Sequence, residues 1–125
     1  MALIDQVMQY LQSQGLQPTV QNWGIDFKYQ MRNFTVLKDD NDDQFFQLCM
    51  PGIFDVTEDN LAASLISCNT INNTKKVVKA VNNEGKIWLC YEVLVDSTPE
   101  WGEFIPRALG MLLGAQEAFY KEVEK

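Results

Sequence analysis

Apolar residues alternate with polar ones in short runs within residues 25–50 and recur at helical spacing near both ends, so the chain must combine sheet with helix. Over residues 2–14, Leu3, Ile4, Val7, Met8 and Leu11 fall on one helical face, while Asp5, Gln6, Gln9 and Gln12 fall on the other. Gly15 supplies a left-handed stop, and Pro18 bars continuation. The period then changes. Ile25, Phe27 and Tyr29 alternate with Asp26, Lys28 and Gln30, the pattern of a strand with one wet face. A second strand is expected over residues 32–38, with Phe34 and Val36 on one side. The acidic run 39–43 turns the chain into a third strand, residues 44–50, which carries Phe45, Phe46 and Leu48. Pro51-Gly52 is expected to end it.

In the second half, Thr57 is a good N-cap, followed by Glu58 and Asp59 where acids favour the helix dipole. That helix is expected to reach about Asn69, with Leu61, Leu65 and Ile66 inward. Strands over residues 75–81 and 86–95 flank a turn at residues 82–85. A closing helix over residues 103–124 uses Phe104, Ile105, Leu109, Leu112, Leu113, Phe119 and Val123. It tolerates Pro106 in or next to its first turn. The predicted order is α-β-β-β-α-β-β-α. It describes an α+β fold in which an antiparallel sheet carries helices mainly on one face. A chain of 125 residues fits one domain, residues 1–125.

This order resembles the type III secretion chaperone-like fold, which includes class I secretion chaperones and YbjN-type domains. The resemblance covers nearly the whole chain. It rests on the first helix ending at Gly15, the three-strand meander with Phe27, Phe34 and Phe46, and the helix after Pro51-Gly52. The hairpin through Trp88 and the amphipathic closing helix complete it. Members with known roles are cytoplasmic, generally dimeric and non-enzymatic, and they bind polypeptide segments. The resemblance therefore implies a polypeptide partner and a homodimer.

Charge and composition narrow the partners. The net charge of −7 repels phosphate backbones and anionic lipid, so neither nucleic acid nor membrane is expected as a partner. A basic partner would be tolerated. The first residues lack a basic segment followed by an apolar run, and Cys49, Cys68 and Cys90 are odd in number and sit in apolar segments. These features favour a cytoplasmic location. The glycosylation-like patterns at Asn33 and Asn72 then read as chance matches.

Catalysis is not expected. The chain has no histidine, which removes the commonest general base and the Ser-His and Cys-His nucleophile pairs. No phosphate-binding glycine loop or nucleophile elbow is present. No cofactor is expected either. Asp39, Asn41 and Asp43 match the first ligands of a calcium loop, but Gln44 stands where that loop needs glycine and Met50 where it needs glutamate. The run reads better as a solvated hairpin tip. Lys75, Lys76 and Lys79 read as protection of a sheet edge.

The row Gly102, Pro106, Gly110 and Gly114 lies on one side of the closing helix and is expected to let backbone approach closely. Packing against the sheet within the chain is the preferred reading, and pairing across a dimer the other. Trp23 and Trp101, each beside a glycine, are expected to plug the ends of the core.

The last strand is apolar on both sides. Ile87, Leu89, Tyr91, Val93 and Val95 point one way, and Trp88, Cys90 and Leu94 point the other. One helical layer covers one sheet face only, so the second set needs its own cover. The segment 51–56, with Ile53 and Phe54, could fold back over it, or another molecule could. Trp88, Cys90, Leu94, Ile53 and Phe54 are thus the candidate partner or dimer interface. The leading expectation is a non-catalytic, chaperone-like or regulatory domain that docks a polypeptide and self-associates. The alternative is a small-molecule or weak metal-sensing domain whose cleft, between sheet and helices, is lined by Tyr29, Tyr91 and Trp88. An enzyme using only carboxylates and tyrosines comes third.

Overall fold

The computed structural model describes residues 1–125. The elements run α1 (Leu3–Ser13), β1 (Thr19–Gln21), β2 (Gly24–Tyr29), β3 (Arg32–Leu37), β4 (Phe45–Asp55), α2 (Leu61–Thr74), β5 (Val78–Asn83), β6 (Lys86–Leu94) and α3 (Trp101–Val123). All six strands join one antiparallel sheet in the order β1-β2-β3-β4-β6-β5. The α+β architecture is the one expected. No helix is long and apolar enough to cross a membrane.

Register explains which side chains the helices cover. Ile25, Val36, Leu48, Tyr91 and Val78 are successive cross-strand partners and form one buried row over five strands. Phe27 with Phe34, and Met50 with Leu89 and Ala80, extend the same face. Against it pack Val7 and Leu11 of α1, Ile71 of α2, and Ile105, Ala108, Leu112, Ala115 and Phe119 of α3. Each fully buried Leu, Ile or Phe contributes roughly 1.5–3 kcal/mol of transfer free energy, so this face holds the sheet and helices together. The Trp101 indole packs on Phe46 and donates from Nε1 to Gln6 Oε1 at 3.0 Å, which ties α3 to α1. Trp101 therefore plugs the core as expected.

Four local expectations are corrected. First, a three-residue edge strand, β1, precedes the meander; its central Val20 is 71% exposed, so it leaves no buried-face pattern to read. Second, β4 does not stop at Pro51-Gly52. The β4–β6 register shifts between Met50 and Phe54, and Gly52 adopts φ 59°, so a bulge absorbs the proline and pairing resumes through Asp55. Third, α2 begins at Leu61. Thr57 instead closes the turn ahead of it: its N–H donates to Asn60 Oδ1 at 2.8 Å, and its hydroxyl accepts from the Asn60 N–H at 3.3 Å. The helix also buries the opposite side from the one expected. Ser64, Ser67, Cys68 and Ile71 are inside, whereas Leu61, Leu65 and Ile66 are exposed. Asn72 holds that orientation, with Nδ2 donating to the Ala80 carbonyl and Oδ1 accepting from the Ala80 N–H.

Fourth, the small-residue row of α3 does not pack on the sheet. Gly102, Pro106, Gly110 and Gly114 are all exposed, and a Cβ built at Gly110 or Gly114 would meet nothing within 4 Å.

A groove on the open face of the sheet

Residues that alternate with the buried rows point away from the helices. They are Asp26 and Lys28 on β2, Asn33, Thr35 and Leu37 on β3, Pro51 on β4 and Trp88 on β6. Together with Trp23 and residues 15–17, they line a groove of about 1020 Å³. The right-handed twist of the sheet and the β4 bulge are the natural sources of its concavity.

Trp23 stands at the rim because Gly24 allows the backbone a path no other residue could follow. Gly24 has φ 146°, and a Cβ there would lie 1.9 Å from the Val36 carbonyl oxygen. The Trp23 carbonyl accepts from the Lys38 N–H at 2.9 Å, and its indole Nε1 donates to Asp26 Oδ1 at 2.9 Å. The ring is 49% exposed, so the expected plugging of the core by Trp23 is corrected. Trp88 is partly buried on the opposite side of the groove. The lining is mainly apolar: Leu16, Leu37 and Pro51 join the two indoles, Phe27 and Phe34 border it from the buried row, and Asp26, Lys28 and Asn33 supply polar groups of both signs. Thr35 is 3% exposed and satisfied, its hydroxyl donating to the Ile25 carbonyl at 3.2 Å.

Beside the groove lie the two thiols. Cys49 is the register partner of both Thr35 and Cys90, and Cys90 is also paired with Lys79. The Cys49 thiol donates to Cys90 Sγ at 2.9 Å. That hydrogen bond, with burial second, pushes Cys49 well up from the usual thiol range, and the same bond lowers Cys90 against the opposing effect of burial. Cys90 is also the thiol nearer the surface and the one that has Lys79 as its cross-strand partner. Polar neighbours frame the pair: Lys79 Nζ lies 2.8 Å from Glu92 Oε1, and Gln47 Nε2 donates to Glu92 Oε2 at 2.6 Å. Hydrogen bonding to Glu92 raises Lys79.

The five candidate interface residues do not form one surface. Trp88 lines the groove. Cys90 is 5% exposed and already shielded by its own chain. Leu94 is 73% exposed but six residues further along β6, roughly 20 Å from Trp88 at strand rise. Ile53 and Phe54 belong to the strand and pack against the core. Phe54 meets the Phe119 ring edge-on, and the Ile53 carbonyl accepts from the Tyr120 hydroxyl at 2.8 Å. The segment 51–56 thus does not fold over the open face. The cleft imagined between sheet and helices is also corrected: Tyr91 is buried against Phe46, Tyr29 packs on Phe34, and Trp88 lies across the sheet from both.

The acidic run 39–43 forms turns away from the groove, in which Asp39 and Asp42 accept from the amides of Asn41 and Gln44. No group of three or more Cys, Asp or Glu residues is placed to hold a metal ion. Sequence reasoning missed Trp23, Asp26, Lys28 and Asn33 as site residues. Their one signal was an indole beside a glycine at the start of a strand.

Comparison with known proteins follows the architecture, not the sequence. No family model matches the chain, and no curated protein does. Among solved structures, YbjN, a proposed transcription regulator from E. coli, superposes with a TM-score of 0.72 at 13% identity. The match covers 97% of this chain and 93% of that one. An uncharacterised protein from Methanothermobacter thermautotrophicus matches with a TM-score of 0.67 at 10% identity, covering 98% and 96% respectively. The chain has the fold of YbjN.

Proposed function

We propose that this chain is a non-catalytic regulatory or chaperone-like module that holds an extended polypeptide segment in the open-face groove. The observation that carries the reading is the groove itself: two indoles, Trp23 and Trp88, flank an apolar floor on the sheet face that no helix covers. Rigid aromatic side chains bury large area at small entropic cost, which suits them as anchors for a partner. The free edge of β1, at the end of the sheet near Trp23, offers unpaired backbone groups for strand addition. A net charge of −7 favours a basic segment. The structural likeness to a proposed regulator supports a regulatory role. Self-association is part of the same reading, supported by the exposed Leu61, Leu65 and Ile66 on α2 and by Leu94.

The test is selection of random linear peptides on the purified chain, followed by titration monitored by amide chemical shifts. Shifts should cluster at Trp23, Lys28, Asn33 and Trp88. Trp88→Ala should weaken a selected peptide by about 2 kcal/mol, roughly thirtyfold in Kd. Met31→Ala, at a hairpin tip that is 98% exposed, should leave it unchanged. Peptides that bind the folded Trp88→Ala chain as tightly as the wild type would overturn the reading. A groove of this volume is also large enough for a planar organic ligand between the indoles. Failure to select any peptide, with such a ligand shifting the same amides, would favour that second reading.

A further inference from the structure

Cys49 and Cys90 have no part in the peptide reading, yet their placement is specific. They are direct partners in the β4–β6 ladder, and their sulfurs meet on the same sheet face at 2.9 Å. Directly opposed residues on antiparallel strands stand about 4.5–5.5 Å apart at Cα. That spacing lies inside the roughly 4.4–6.8 Å window of disulfides. Both sulfurs can therefore be joined without moving either strand. Cys68 is alone on α2, so the chain has one such pair. No helix lies over this face. Cys90 reaches its surface with 5% exposure, while Cys49 is wholly buried behind it. Lys79, opposite Cys90 on β5, favours a thiolate there, and Glu92 on β6 opposes it while itself held by Lys79 and Gln47.

We propose that Cys49 and Cys90 form a redox-active dithiol that hydrogen peroxide closes into an intrachain disulfide between β4 and β6. In the first step the Cys90 thiolate attacks one peroxide oxygen, the O–O bond breaks, and the departing hydroxide takes a proton to become water. Cys90 is left as a sulfenic acid. The Cys49 sulfur then attacks the Cys90 sulfur, the S–O bond breaks, and hydroxide leaves with the Cys49 proton as a second water. Two thiols and one peroxide give one disulfide and two waters. The two electrons lost by sulfur reduce the peroxide. Exchange with a small dithiol restores both thiols. Thr35, the register partner of Cys49, and Trp88, two residues before Cys90, both line the groove.

The experiment exposes the reduced full chain to hydrogen peroxide, removes the oxidant with catalase, and alkylates the denatured protein. The reduced chain takes up three alkyl groups, one per cysteine. After peroxide, the expected product takes up one, on Cys68, and before alkylation weighs two hydrogen atoms less. A non-reducing digest should contain a Cys49–Cys90 peptide that dithiothreitol separates. Cys68→Ser should still form it. In Cys49→Ser, Cys90 should stop at a sulfenic acid that dimedone traps. Three results would overturn the proposal: full alkylation at doses that oxidise a free cysteine control, sulfinic acid on Cys90 with Cys49 still alkylated, or bonds only between chains. Peptide affinity plays no part in these readouts, so the dithiol and the groove stand or fall separately.

Discussion

Replacing Gly110 and Gly114 by alanine should stabilise this protein, and the size of the effect can be worked from the structure. Both residues lie in the interior of α3, both face outward, and neither has a positive φ. A methyl group at either position meets nothing within 4 Å, so no packing change offsets the intrinsic preference. Glycine in a helix interior is about 1 kcal/mol less favourable than alanine, mainly through backbone entropy. The two sites share no partner, so the double variant should gain about 2 kcal/mol. With a urea m-value of ~1–3 kcal/mol/M, its midpoint should rise by roughly 1 M. Equilibrium unfolding followed by far-ultraviolet circular dichroism measures this, and sedimentation velocity on the same samples reads the assembly state.

Gly24→Ala is the contrasting control. Its Cβ would sit 1.9 Å from the Val36 carbonyl oxygen at φ 146°, and a loss of about 3 kcal/mol or more is expected. A lowered midpoint for Gly110→Ala and Gly114→Ala would refute the reasoning, because it would mean that another surface lies on that row. If the sedimenting mass fell as well, that surface would belong to a second copy of the chain.

Ile71→Ala should cost about 2–5 kcal/mol because the side chain is fully buried, whereas Ile66→Ala, at 66% exposure, should stay within about 0.5 kcal/mol. The reverse ranking in urea unfolding would show that α2 is turned the other way. Burial raises Cys68 and Tyr91, and hydrogen bonding to Glu92 raises Lys79. In each case the folded chain holds its proton more tightly than the unfolded chain. Their contribution is complete below the ordinary values of 9.0, 10.0 and 10.5 and is lost as pH rises through the folded ones. Unfolding midpoints measured with the thiols kept reduced should therefore fall from about pH 9 upward, with the half-exposed Lys79 ion pair supplying less than about 1 kcal/mol of the change. A midpoint that climbs over that range would contradict the assignment.

The parts of the fold legible in the sequence were those in which burial follows a simple period. Val7 and Leu11, Ile25 and Phe27, or Leu109 and Leu112 repeat at the spacing of their element, so α1, the meander and α3 were legible from periodicity alone. α2 carries apolar residues all round. Leu61, Leu65 and Ile66 look like a core stripe, but the small Ser64 and Ser67 let the helix approach its neighbours closely, and Asn72 fixes the rotation by bonding to β5. Strand β4 misled through Pro51, since the missing amide donor matters in a regular ladder and not at a bulge. The candidate site was half legible. Trp88 was picked out because it broke the expectation of a wet outer face. Trp23, Asp26, Lys28 and Asn33 were not, because a polar strand face reads as solvent-facing until a second indole is known to stand across from it.

The pairing of β4 with β6 also bears on synthesis. The longest strand emerges with its β3 partner already made, but its other neighbour lies 41 residues further on at the Cys49–Cys90 step. Until α2 and β5 have followed, the nascent chain carries the unclaimed side of β4, including the amides around Phe46, Leu48 and Met50. Arrival of β6 would then cap this edge in one move and bring β5 to the outside. A ribosome stalled within α2 should hold a sticky half-sheet that aggregates or recruits a holding factor, and one stalled beyond α3 should not.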